Sequence, residues 1–137
     1  MIPSTIIWSS APSVVLPFRD RVRLQHILDA AIRARRLVAG RNRRDLFGEE
    51  QLSLALQRLI GILSYAATAV SPAARAQAPD IPWEAIAGMR DRIIHAYFDV
   101  DLNTLWDTVT DDLPPLIAQL EALIDGDDLL PQLHSPD

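Results

Sequence analysis

Beyond residue 17, aliphatic side chains recur at alternating spacings of three and four, and prolines and glycines cut that pattern into segments. Such a period belongs to helices that each bury one face. Leu24, Ile27, Ala31, Ala34 and Val38 form a first stripe, closed by Gly40, which enters a left-handed helix cap without steric cost. Leu52, Leu56, Leu59, Leu63, Ala66 and Val70 form a second, opening at Glu49 and Glu50 and stopping at Ser71 and Pro72. A linker with Pro72, Pro79 and Pro82 follows. Asp80 as N-cap and Pro82 in the first turn then open a third helix through Trp83 and Ile86. The last stripe, Leu102, Trp106, Val109, Leu113, Leu116, Leu120 and Leu123, keeps its phase through Pro114 and Pro115. Pro115 lacks an N–H and its ring crowds the carbonyl four residues back, so a kink or short break is expected near Asp112. With no strand pattern, repeat or Gly-rich phosphate loop in view, the chain predicts an all-α antiparallel bundle of four or five helices.

At 137 residues the chain fills about one domain. The expected organisation is an extended, mobile N-terminal arm over 1–17, the helical domain over 18–124 and an acidic, flexible tail over 125–137. Aromatics are only 6% of the residues, so aliphatic side chains must fill the core. The absence of cysteine excludes disulfide scaffolds, thiolate zinc sites and cysteine nucleophiles together. His26, His95 and His134 are far apart and show no metal-ligand spacing, so neither metal nor cofactor is expected. The uncharged run from Leu59 to Ala74 contains Ser64, Thr68, Ser71 and Pro72 and falls short of the roughly 20 residues a bilayer demands. Met1 to Pro17 has no basic residue ahead of its apolar part, unlike a signal peptide, so no membrane and a cytoplasmic location are expected.

The formal charge of −5 hides an asymmetry. Residues 1–92 carry all 13 basic groups, every one an arginine, against 8 acids, whereas residues 93–137 carry 10 acids and no base. One end suits a phosphate polymer and the other does not. Arg33, Arg35, Arg36, Arg41, Arg43 and Arg44 are the sharpest cluster, and they equally suit a solvated helix end that complements the helix dipole.

The stretch Met89-Arg90-Asp91-Arg92-Ile93-Ile94-His95-Ala96-Tyr97-Phe98 is the most informative. Read as helix, its core stripe is Ile86, Met89, Ile93 and Ala96, and at about 100° per residue Arg90 and Tyr97 share one margin. Asp91 and His95, four apart, share the opposite side with Ile94 and Phe98. Two large apolar residues beside a histidine and a carboxylate make a poor solvent face, so a second surface should cover it. A second copy of the chain supplies one, and two-fold pairing would gather two His95, two Arg90 and two Asp91 in a composite cleft. RNA cleavage by its own 2′-hydroxyl needs a base, an acid and positive charge at the phosphate. Histidine performs either proton role near neutrality and arginine supplies the charge. Spacing alone also allows a bland reading, with Arg90 paired to a C-terminal acid, His95 ending the helix and Tyr97 in an interface.

Arg90-Asp91-Arg92-Ile93-Ile94-His95-Ala96-Tyr97 resembles the R-x-x-x-x-H-x-Y signature of HepT-like toxins, of the HEPN superfamily of helical ribonuclease domains. Ile81-Pro82-Trp83, Tyr97-Phe98-Asp99-Val100-Asp101-Leu102, Trp106-Asp107-Thr108-Val109 and Asp112-Leu113-Pro114 extend the likeness, which runs from about residue 18 to 124 and is strongest from 79 onward. The resemblance implies an all-helical homodimer acting as a metal-independent endoribonuclease on tRNA or mRNA, as the toxin of a type VII-like toxin-antitoxin pair. Arg90 and His95 would be the catalytic pair, with Asp91 as a supporting carboxylate that orients the imidazole. The implied partner is an MNT-type nucleotidyltransferase antitoxin that transfers AMP from ATP to Tyr97. An adenylylated Tyr97 would set a phosphate beside Arg90 and occupy the place of the RNA phosphate.

The sequence departs from that family at two points. A second-helix stretch usually bearing two glutamates reads Leu59-Ile60-Gly61-Ile62-Leu63-Ser64-Tyr65-Ala66, and the residue after the histidine, commonly glycine, is Ala96. Two other readings stand beside the toxin: a non-catalytic helical module that docks a nucleotidyltransferase and serves as its substrate, and a purely structural homodimer. The acidic end and the missing glutamates favour the docking module. The intact Arg90, His95 and Tyr97 favour the enzyme.

Overall fold

Four helical rods pack around one aliphatic core in the computed structural model, which describes residues 14–96 and 98–127. The first rod is α1 (Phe18–Val38) and the second is α3 (Glu50–Thr68), linked through a short α2 (Arg43–Gly48). Every member of their two predicted stripes is buried. Gly40 turns the chain out of α1 at φ +77°, the only positive φ among the described residues. The third rod is the pair α5 (Trp83–Ala87) and α6 (Met89–Ile93), reached through α4 (Pro72–Ala76). The fourth runs from α7 (Leu102–Asp107) through a π-helical turn (Thr108–Asp112) into α8 (Leu113–Asp125).

Polar contacts at the rod ends fix an antiparallel arrangement. Asp20, buried in the first turn of α1, accepts the Ser71 N–H at 2.8 Å and its hydroxyl at 2.7 Å, so the start of α1 meets the end of α3. Arg35, near the end of α1, donates to the Val109 carbonyl, and Asp127, beyond α8, pairs with Arg21 at 3.3 Å. The all-α antiparallel bundle expected from the stripes is therefore the fold observed.

Several local expectations are corrected. The linker after α3 contains α4, which Ser71 caps by accepting the Ala74 N–H, and α2 opens with a reciprocal Asn42–Asp45 capping box. Both helices are too short to show a stripe. Asp80 is not the N-cap of α5. That position is Pro82, and the Asp80 carbonyl instead accepts from Gln119. The arm is not free throughout. Val14 bridges Asp127, Leu16 is buried, and the Val15 N–H and carbonyl both bond the Gln77 amide. Asp127, in the expected tail, is likewise buried. The rest of the arm, 1–13, and of the tail, 128–137, lies outside the described residues.

The expected break near Asp112 takes the form of the π turn, for a reason visible in its hydrogen bonds. Pro114 and Pro115 have no N–H to offer, and the last donor before them, Leu113 N–H, bonds the Thr108 carbonyl five residues back. The Val109 carbonyl is thereby released to Arg35. The wider turn also shifts the buried face, so Leu105, Val109 and Leu113 are fully buried at steps of four while Leu102 and Trp106 are only partly covered.

Candidate active site

Ser64 is a buried hydroxyl in the middle of apolar α3, 4% exposed, and it anchors the third rod. Its oxygen donates to the Ile86 carbonyl at 2.9 Å and accepts the Arg90 N–H at 3.0 Å. These bonds straddle Gly88, which ends α5 and begins α6, so one side chain satisfies backbone groups on both sides of the break. The Arg90 backbone is thus held by α3. Its side chain extends across α3 at Gly61, where an added Cβ would stand 3.9 Å from Arg90 Cδ. Ser64→Ala leaves a buried donor and acceptor unpaired and is expected to cost about 1–3 kcal/mol, read as a lower chemical-denaturation midpoint. An unchanged midpoint would show that the hydroxyl bears no such load.

His95 does not lie on a helix. α6 ends at Ile93, Ile94 is extended at φ −111° and ψ 99°, and β1 (Ile94–Ala96) pairs antiparallel with β2 (Asp99–Val100), Ile94 opposite Val100 and Ala96 opposite Asp99. The Asp101 N–H closes the hairpin onto the Ile93 carbonyl at 2.8 Å. The helical face expected to join Asp91 to His95 is therefore broken, because the chain turns extended between them. Asp91 instead lies 3.6 Å from the Arg90 guanidinium. Nor does Arg90 pair with a C-terminal acid among the described residues.

Asp101, which sequence reasoning passed over, lies near enough to His95 to feel its charge. Asp101 caps α7 by accepting the Thr104 N–H at 3.0 Å and its hydroxyl at 2.7 Å. Those two bonds hold its carboxyl below the usual carboxylate range, and the nearby His95 adds to the effect. A group lowered in this way stabilises the fold above its unfolded pKa and loses that contribution as pH falls through the folded value.

His95 is exposed, and Phe98, three residues on in the chain, is 88% exposed. Tyr97 lies outside the described residues. Arg90 and Ile94 close one end of a cleft of about 470 Å³ between α1 and α3, lined also by Arg23, His26, Arg58 and Tyr65. Gly61 and Tyr65, both within the second-helix stretch that departs from the family, line this cleft. Of the arginine cluster, Arg35, Arg41 and Arg43 serve the fold, bonding Val109, Glu49 and Asp107 respectively. Among the described residues no three His, Asp or Glu side chains converge as metal ligands, and no helix is long and apolar enough to cross a membrane.

Residues 27–123 match the sequence profile of the family described as Ribonuclease HepT-like. A protein of Thermococcus cleftensis named probable ribonuclease HepT is 37% identical over 58% of this chain and 72% of its own length. A Caldanaerobacter subterraneus subsp. tengcongensis protein carrying an RNase designation is 31% identical over 76% of this chain and 93% of its own length. No solved structure matches the chain.

Proposed function

The chain belongs to the ribonuclease HepT-like family, and from that premise we propose that it is an endoribonuclease toxin cleaving RNA by attack of the 2′-hydroxyl on the adjacent phosphorus. The observation that carries the reading is the pairing of a backbone-anchored Arg90 at the mouth of a cationic cleft with an exposed His95 on the hairpin that follows it. Arg90 neutralises charge building on the non-bridging oxygens, with Asp91 as the supporting carboxylate beside its guanidinium. One His95 accepts the 2′-hydroxyl proton as the new P–O bond forms. A second His95, from another copy of the chain, protonates the 5′-oxygen as the P–O5′ bond breaks. The products are a 2′,3′-cyclic phosphate and a free 5′-hydroxyl.

The exposed Phe98 supports a homodimer closing over this face. A cognate nucleotidyltransferase of the MNT type silences the toxin by moving AMP from ATP to Tyr97. The pair works in the cytoplasm, where its RNA substrate is. The docking-module reading loses part of its support, because acids of the C-terminal third are engaged within the fold: Asp101 caps α7, Asp107 pairs with Arg43 and Asp127 with Arg21.

The test is induction of the wild-type gene with and without the nucleotidyltransferase, followed by total-RNA integrity and cleavage by the purified protein in EDTA. RNA should be cut, the partner should relieve the damage, and chelation should leave the rate unchanged, since acid-base chemistry on histidine calls for no metal. Intact RNA from soluble, unmodified protein would overturn the enzymatic reading.

A further inference from the structure

Six arginine side chains, Arg19, Arg23, Arg33, Arg36, Arg44 and Arg58, make no hydrogen bond or ion pair to another described residue, and four of them, Arg23, Arg33, Arg36 and Arg58, line the seam where α1 packs on α3. Arg35, Arg41, Arg43 and Arg75, by contrast, each bond a carbonyl or carboxylate of the fold. The cleft at Arg90 continues along this seam through a recess lined by His26, Arg33 and Ile62 into one lined by Arg36, Leu37 and Arg58. From Arg23 to Arg36 the track runs about 20 Å along α1. Asp29 is the only carboxylate among the described lining residues, and it is already engaged by the Gln25 amide at 2.9 Å. Such a row of like charges costs the folded chain repulsion that a polyanion would relieve.

We infer that the α1–α3 seam is the track by which single-stranded RNA reaches Arg90, an assignment that rests on the ribonuclease reading. Tyr65 gives the track its second element. The ring is 67% exposed at the cleft, and the Arg23 guanidinium lies 5.9 Å from its centroid, a platform on which a base can stack. Arginines along the groove bind successive phosphates and carry no sequence preference. The track is open along its length, as a single strand requires.

The experiment measures binding of a fluorescein-labelled single-stranded RNA, long enough to span the seam, to full-length His95→Ala protein across a salt series. The variant Arg33→Ala/Arg36→Ala/Arg58→Ala, made in that background, should bind at least tenfold more weakly. Its slope of log affinity against log salt should be shallower by about 2, since each phosphate contact on a single strand contributes about 0.7. Tyr65→Ala should weaken binding about fivefold or more with the slope unchanged. Arg41→Ala/Arg43→Ala/Arg44→Ala removes equal charge elsewhere and should leave the slope as it was. Equal losses from both triple variants, or no loss from the first, would overturn the track. A first triple variant that sediments as a monomer where its parent is a dimer, with its salt slope unchanged, would make the seam a contact between protomers and overturn it too. Wild-type cleavage measured in parallel separates the two claims. Cleavage without seam-dependent binding removes the track alone, and seam-dependent binding without cleavage removes the ribonuclease reading alone.

Discussion

His95→Ala is expected to lower RNA cleavage by about 10²- to 10⁴-fold, the usual worth of a positioned general acid-base group, and to abolish growth inhibition on induction. The fold should survive the change. His95 is exposed on β1, and its side chain makes no hydrogen bond to another described residue. Thermal and chemical denaturation should therefore match wild type, and the loss can be read as chemistry. His95→Gln, which keeps a polar side chain with no proton to exchange near neutrality, should be equally inactive. Persistent toxicity of a folded His95→Ala protein would remove this residue as acid or base and leave Arg90 to act by charge alone.

The bundle was legible because burial demands a period. Leu24, Ile27, Ala31, Ala34 and Val38 could keep that spacing only as one face of a helix, and all five are buried. The fourth rod was legible in existence and not in phase. The strict alternation of three and four steps placed Leu102 and Trp106 in the core, but Pro114 and Pro115 withhold two donors, the chain takes a π turn, and Leu105 is buried instead. A hydrophobic stripe records phase only where the backbone supplies the ordinary hydrogen bonds.

The site was legible in its residue types more than in its geometry. Ile93 and Ala96 keep helical spacing with Met89, which hides the end of α6. The β-branched and aromatic run Ile93-Ile94 to Tyr97-Phe98 was the signal for extended chain. Reading through it joined Asp91 to His95 and missed Asp101, whose N–H closes the hairpin. Ser64 carried its own signal, as a lone hydroxyl at a buried position of an apolar helix. A buried polar group must find partners, and here those partners are the Ile86 carbonyl and the Arg90 N–H.

Tyr97→Phe separates toxicity from control. Phenylalanine keeps the ring and removes only the hydroxyl that would attack the α-phosphorus of ATP, forming the Tyr–O–P bond as pyrophosphate leaves. The expected variant cleaves RNA as wild type does, acquires no AMP when incubated with the nucleotidyltransferase and ATP, and remains toxic when the partner is co-expressed. Intact-protein mass spectrometry reads the modification and growth reads its consequence. Tyr97 stands two residues after His95 in the sequence, and its chain neighbours Ala96 and Phe98 are both exposed. An AMP on that oxygen would add a phosphate and a purine two residues along the chain from His95, opposing substrate by charge and by bulk. A full AMP mass shift on Tyr97→Phe protein would move the acceptor to another side chain. Loss of the shift with growth still rescued would mean that the partner neutralises the toxin by binding alone.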